Sequence, residues 1–471
     1  MKKTIILFLM LLILLGTSLF AGIMAAALDP QEPRPEFSQK VENPVPPNLE
    51  NLKMLDMEPF VSNLPVVMID TCGQQIVKEE MKAVRTVIFE DPSGKNDILS
   101  RADTVMNAGL KLRGASSYNF DKNQYRLKFY QEKSLKKPLG FPFLHMNPDS
   151  EWVLHGPCLD HSLLRNYLMY QLSGEIMEWA PDCRFLELFV DGNYQGVYLA
   201  VEPITVSSSR LHLSPFGLLS GACPYVIIRD RIGTEPNSIE TYGSLQGFTG
   251  NQLSVRYPTS QKLTDRQKLW ISEDVSRFEM ALYSDHFDDP ETGYARYIDI
   301  DCFTDYVILN EISLNHDAGN LSTCIYKDLG GRLKLSVWDF NNSFDNYQWF
   351  HCPADQFQMT ENFWFDRMLQ DRNFVDRVVN RYQQLRRTTL SDAHMQQLLF
   401  TGRQQLGPAI SRNYCRWGYL FSNPMLSSQE GIPDRNPENY AQAFNRLLLV
   451  MKKRTAFLDQ HITDLYDGCI N

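Results

Sequence analysis

Two aspartates stand at the ends of one hairpin-like stretch. Asp317 lies in Asn315-His316-Asp317-Ala318-Gly319-Asn320, where a helical run gives way to a loop, and Asp339 lies in Val337-Trp338-Asp339-Phe340-Asn341-Asn342, where a strand-like run ends. Between them, Cys324-Ile325-Tyr326 and Leu333-Lys334-Leu335-Ser336-Val337 read as strands joined at Gly330-Gly331. Loops flanking one hairpin can bring two carboxylates into a single cleft. Phosphoryl transfer needs such a pair: one carboxylate accepts the hydroxyl proton or orients the acceptor, and the other holds the magnesium ion that bridges the phosphates. Two turn aspartates bonded to their own backbone fit the same spacing. The sequence carries no GxSxG, HExxH, GxxxxGK[ST], EF-hand or dinucleotide motif, and its nine histidines form no metal-spaced cluster, so the commonest hydrolase and nucleotide-binding explanations fall away.

Elements that would position the pair come in a clear order. Pro65–Thr71 and Val84–Phe89 are short runs rich in β-branched residues, ahead of a hairpin made of Gly109–Arg113 and Tyr125–Phe129 with the small-residue tip Gly114-Ala115-Ser116-Ser117. Ser162 then caps a helix whose apolar residues Leu163, Leu164, Tyr167, Leu168, Leu172 and Ile176 recur at helical spacing. A second hairpin turns at Asp191-Gly192-Asn193 between Phe185–Val190 and Gly196–Val201. From about 205 to 262 only Tyr225–Arg229 reads firmly as a strand. Thr264 and Gln267 form a capping box, another helix starts at Asp301, and two apolar stripes follow, Phe374-Val375-Val378-Val379-Tyr382-Leu385 and Tyr440-Phe444-Leu447-Leu448-Met451. Strands first, with one helix among them, and helices afterwards outline a two-lobed α+β fold.

Composition sets the class. The 471 residues are 43% hydrophobic and 22% charged, which excludes fibrous and disordered chains. Lys plus Arg number 46 against 56 Asp plus Glu, a net charge of -10, so no general basic surface exists and nucleic acid is not an expected partner. Lys2 and Lys3 precede an apolar stretch ending at Ala25-Ala26-Ala27, the parts of a signal peptide cleaved after Ala27. Residues 4–27 are also long enough to act as a membrane anchor, and either way the remainder is expected to be exported, to an extracellular, cell-surface or coat location. Seven prolines in 28–60 mark a tether, and the folded part starts near residue 60. The nine cysteines form no CxxC pair, and no disulfide is assigned.

Five blocks in this order resemble the spore coat protein H (CotH) family: Leu112-Arg113-Gly114-Ala115-Ser116-Ser117 with Tyr125-Arg126-Leu127-Lys128-Phe129; Ser162-Leu163-Leu164-Arg165-Asn166; Glu187 through Leu199 with Glu202; Asp317 through Ser322; and Val337-Trp338-Asp339-Phe340-Asn341. The resemblance implies an atypical protein kinase with a β-rich N-terminal lobe and a mainly helical C-terminal lobe. Residues 61–350 would form its core, with 351–471 the helical remainder of the same domain. ATP with Mg²⁺ or Mn²⁺ would be the cofactors, and Ser or Thr of coat or surface proteins the acceptors. Arg113, Ser116 and Ser117 would cover the phosphates, where small residues let backbone N–H groups approach. Lys128 would pair with phosphate, Arg126 being its rival two residues away on the same face. Glu202 would sit at the adenine-binding hinge, Asp317 would be the catalytic base, Asn320 a metal-binding or base-orienting amide, and Asp339 the metal aspartate. Glu175 would pair with the lysine, or Arg165 reach a phosphate. The chain lacks HRD and VAIK, and Asn320 follows Asp317 by three residues rather than five, with Ser322 at the fifth position. An inactive kinase-fold scaffold for coat or surface assembly is the alternative.

Overall fold

A computed structural model describes residues 59–470 except 218, 234 and 235, so the signal or anchor segment and nearly all of the proline-rich tether lie outside the described residues. The chain first runs β1 (Val61–Ser62), β2 (Val66–Asp70), β3 (Lys82–Phe89), β4 (Asn96–Asp97), β5 (Thr104–Arg113), β6 (Gln124–Tyr130), β7 (Glu151–His155), α1 (Arg165–Ile176), β8 (Cys183–Val190) and β9 (Asn193–Val201). Seven of these strands close a barrel in the order β2-β3-β5-β6-β7-β9-β8, sealed where β8 pairs in parallel with β2, Val66 facing Glu187 and Ile69 facing Val190. Alternation explains the filling. Val67 and Ile69, Val84 and Ile88, Ala108 and Leu110, Leu127 and Phe129, and Trp152 and Leu154 all enter one interior apolar cluster, while Met68, Val87 and Val153 on the other face join separate buried clusters.

After the barrel come β10 (Tyr225–Asp230), β11 (Ser238–Ile239), α2 (Tyr242–Leu245), β12 (Gln252–Tyr257), α3 (Asp265–Leu282), α4 (Ile300–Ser313), β13 (Thr323–Lys327) and β14 (Lys334–Ser336). They build a second sheet in the order β11-β12-β10-β13-β14, in which Ile228 faces Cys324 and Cys324 in turn faces Ser336. The stretch 205–262 is thus richer than its sequence suggests: Gln252–Tyr257 is a full strand, whose polar and charged ends masked a buried Leu253-Ser254-Val255 centre. Then follow α5 (Phe365–Met368), α6 (Arg372–Arg386), α7 (Asp392–Leu406), α8 (Ala409–Trp417) and α9 (Tyr440–His461). The fold is mixed α+β. All six stripe residues of α6 are buried in a large cluster that also takes in α1, the second sheet and Phe444, Leu447 and Met451 of α9. Among the described residues no helix is long and apolar enough to cross a membrane.

Two helix starts show how local chemistry and tertiary context differ. At α3 the expected capping box is present, with Thr264 Oγ1 accepting from the Gln267 N–H at 3.2 Å and Gln267 Oε1 accepting from the Thr264 N–H at 3.1 Å. At α1 the expected cap, Ser162, is only a relay. Asp160 accepts the N–H groups of Ser162 and Arg165, at 3.0 and 2.8 Å, and the Ser162 hydroxyl at 2.5 Å, so the helix begins at Arg165 under a carboxylate two residues upstream of the serine.

Candidate functional site

The loop bearing Asp317 is built from the end of α4. Leu314 adopts a left-handed conformation (φ 53°) that stops the helix, and Glu311, buried on its last turn, accepts the N–H groups of Gln358 and Met359 at 2.7 Å each and pairs with Arg454 of α9. Gly319 (φ +81°) then lets the loop pass against Asn362 and Phe365, where a Cβ would come within 3.2 Å of both side chains. Asp317 Oδ2 accepts from Asn342 Nδ2 at 2.9 Å, while its Oδ1 is buried without a hydrogen-bond partner.

Asp339 follows β14 in a left-handed conformation (φ +61°) that a non-glycine residue keeps only when its surroundings hold it. Helix α1 does the holding: the Asp339 N–H donates to the Tyr170 hydroxyl at 3.3 Å, and the next N–H, that of Phe340, to Asn166 Oδ1 at 2.8 Å. Burial pushes the Asp339 carboxyl up to about 6. Arg113 opposes the shift, and the negative charges of Asp317 and Asp230 reinforce it. Asp339, Asp317 and Asp230 thus act on one another, with Arg113 beside Asp339, Arg256 acting on Arg113 and Arg231 4.0 Å from Asp230. Asp230 is a residue that the sequence reading missed by one position, having ended the strand at Arg229, whereas β10 runs to Asp230 beside the hairpin that carries the aspartate pair.

The facing wall is the outer surface of the barrel. Arg113 ends β5, donates from Nη1 to Gln124 Oε1 at 3.0 Å and lies 5.7 Å from the ring centre of Trp338, the neighbour of Asp339. Arg126 and Lys128 point outward from β6 and share one carboxylate, Glu151 of β7, at 2.5 and 3.7 Å. Glu151 was not singled out in the sequence. Only the register that sets it opposite Lys128 brings it there. Glu202 follows β9, buried, with its carboxyl pushed up to about 7 chiefly by desolvation and with Oε1 lacking a partner. Arg210 links these groups: it is 3.4 Å from Asp149, stacks 4.9 Å from the Trp152 ring, donates to the backbone carbonyl of Glu151, and offsets part of the Glu202 shift.

Between β5 and β6 the tip folds into a 3₁₀ turn over Ser116–Asn119, entered through Gly114 at φ +114°. Its return limb is pinned from α8, from the turn that follows it and from β9. Lys122 Nζ donates to Asn413 Oδ1 at 2.8 Å, the Tyr419 hydroxyl donates to Asp121 at 2.6 Å, and that of Tyr198 donates to the Asn123 carbonyl at 2.8 Å.

The CotH kinase protein family matches residues 110–458, from β5 through most of α9. The chain belongs to the CotH family. Inner spore coat protein H of Bacillus subtilis (strain 168) is 26% identical over 237 residues, half of this chain and 58% of that relative, so the chain spans less than two thirds of the relative's length. All the residues gathered in the cleft fall inside the CotH match.

Within this CotH chain, two expected roles on α1 are corrected. Glu175 makes no pair with Lys128: its carboxylate meets His394 of α7 at 2.9 Å, and Glu151 takes the lysine instead. Arg165 is not a phosphate ligand. It is buried, with Nη1 on Asp160 at 2.6 Å and Nε on the Ser343 carbonyl at 2.8 Å, tying α1 to the segment after Asp339. Asn320 donates from its amide to Asn362 Oδ1 at 2.8 Å, and its carbonyl accepts from Asn251, which braces the loop. The amide that reaches Asp317 belongs to Asn342.

Proposed function

We propose that this CotH protein is an atypical protein kinase that transfers the γ-phosphate of ATP to Ser or Thr hydroxyls of spore coat or surface proteins. One observation carries the reading. Asp317, with one carboxylate oxygen on Asn342 and the other buried and unsatisfied, shares a cleft with Asp339, whose carboxyl is destabilised in its charged form by burial and by its acidic neighbours. A hard divalent cation relieves both strains, and this oxygen donor set suits it. Among the described residues no three His, Cys, Asp or Glu side chains form a metal cage by themselves; Mg²⁺ or Mn²⁺ would be held here by one or two carboxylates and completed by phosphates and water.

In this reading the barrel is the β-rich lobe, and the second sheet with its helices is the other. Asp339 would be the principal metal ligand. Asn320, whose amide nitrogen is on Asn362, has only its Oδ1 to add. When bound, the ion neutralises charge on the phosphates. Asp317, oriented by Asn342, accepts the acceptor hydroxyl's hydrogen bond and its proton as the oxygen attacks phosphorus. Arg113 offers its guanidinium beside Asp339, Lys128 or Arg126 binds the distal phosphates, and the Gly114–Ser117 tip, with Ser116 and Ser117, covers them. Glu202 would mark the hinge that holds adenine. The spore coat is the proposed location, reached through residues 1–27 acting as signal or anchor. Incubating the full chain with γ-labelled ATP, Mg²⁺ or Mn²⁺ and a Ser-rich basic peptide should give incorporation that falls at least about 100-fold in Asp317→Asn and in Asp339→Asn. Incorporation surviving both substitutions refutes the assignment. A folded wild type that is silent with either metal points to the inactive scaffold.

A further inference from the structure

A continuous chain of buried side chains joins the two walls of the cleft, and the proposed kinase chemistry has not used it. Gln124 Oε1 accepts from Arg113 Nη1 at 3.0 Å and lies 3.2 Å from His155 Nδ1. His155 Nε2 lies 3.0 Å from Asn166 Nδ2. Asn166 Oδ1 accepts the Phe340 N–H at 2.8 Å. Gln124, His155 and Asn166 are all buried, so water cannot substitute for a missing partner. The directions are forced. Phe340 needs the oxygen of Asn166, which turns the amide nitrogen toward the ring, and an amide nitrogen needs a bare ring nitrogen to donate to. Nε2 is therefore unprotonated, and the ring's one proton sits on Nδ1, aimed at Gln124 Oε1.

We infer that His155 is a positioning residue for the Asp339 loop: its Nδ1–H tautomer fixes the orientation of the Asn166 amide, which holds the Phe340 N–H and with it the left-handed backbone of Asp339, while Gln124 ties the same ring to Arg113. The inference rests on the kinase reading for its consequence and on the hydrogen-bond chain for its geometry. Burial and the nearby Arg113 charge both disfavour the imidazolium, holding the ring's proton affinity down to about 3, so this orientation persists through the neutral range. A second ring proton would reverse the Asn166 amide and release Phe340. Neither wall element carries the arrangement alone. β7 supplies the ring, α1 the amide and the segment after β14 the N–H, from positions 155, 166 and 340.

The test compares full-length wild type with His155→Leu, His155→Gln and Asn166→Ala, reading Mn²⁺ affinity in the presence of ATP by electron paramagnetic resonance and phosphate transfer separately. His155→Leu and Asn166→Ala should each weaken Mn²⁺ binding about 10-fold or more, the usual size of an outer-shell effect on a metal site. His155→Gln, whose amide can donate to Gln124 and accept from Asn166, should return affinity to within about threefold of wild type, a rescue that a purely space-filling role for the ring would not give. Leucine and glutamine variants that are equally impaired, or an Asn166→Ala that binds Mn²⁺ like wild type, overturn the inference, and Asn166→Ala decides it even if His155→Leu fails to fold. A wild type that binds Mn²⁺ and ATP without transferring phosphate removes the kinase reading but leaves the binding comparison decisive. A wild type that binds no Mn²⁺ overturns both.

Discussion

Replacing Asp339 by asparagine should make the protein more stable while abolishing its proposed activity. The carboxyl is pushed up to about 6 from an ordinary 3.8, so the folded state binds this proton more tightly than the unfolded chain does. For an acid raised in this way the folded state is penalised as pH rises: the loss begins near the unfolded value, grows until the folded value is passed and is fully present above it. At about 1.4 kcal/mol per pH unit, a shift of roughly two units amounts to about 3 kcal/mol at pH 8. Asp339 is only half-buried, so water takes up part of this, and the expected gain for Asp339→Asn is about 1–3 kcal/mol. For a folded region of this size that is a rise in Tm of about 1–4 °C. At about pH 4.5, where the wild-type carboxyl is already largely protonated in the folded state, the advantage should shrink to about a third. The assay is thermal unfolding of both proteins in EDTA at the two pH values, so that no metal complicates the comparison. An advantage that is equal at both pH values, or a variant less stable than wild type at pH 8, would show that the cleft does not burden this carboxylate.

Two further outcomes follow from the barrel wall. Glu151 holds Arg126 at 2.5 Å but Lys128 only at 3.7 Å, so the lysine is the easier to recruit; Lys128→Met should raise the KM for ATP about 10-fold and Arg126→Met about threefold in initial-rate assays, and the reverse order would transfer the role to the arginine. At Gly196 (φ +87°) a Cβ would lie 2.5 Å from Asn413 Oδ1 and 2.8 Å from Trp417 Nε1, so Gly196→Ala should lower stability by about 1–3 kcal/mol in guanidinium unfolding and loosen α8 from β9; an unchanged midpoint would refute so tight a contact.

Much of the scaffold is legible from neighbours along the chain. Period-two alternation marks the inward residues of β5 and β6, the Thr264–Gln267 box marks the start of α3, and the stripe from Phe374 to Leu385 is the buried face of α6. The pairing of Asp317 with Asp339 across β13–β14 is legible for the same reason, since a hairpin is a local structure. Elsewhere a distant group outcompetes a local one. Asp160 rather than Ser162 caps α1, and Glu151 rather than Glu175 meets Lys128.

The sequence alone thus determined the order of strands and helices, the two candidate aspartates and the family blocks that carry them, because propensity, periodicity and turn chemistry act between residues a few positions apart. Only the tertiary structure decided that the strands close through the parallel β2–β8 seam, that Asp230 joins the aspartate pair, and that Gln124, His155 and Asn166 connect the walls. Each of those residues is unremarkable where it stands in the chain. Their chemistry comes from a shared low-dielectric cleft, where burial raises the energy of a lone charge and makes each missing hydrogen bond costly, and segments more than a hundred residues apart must meet to create it.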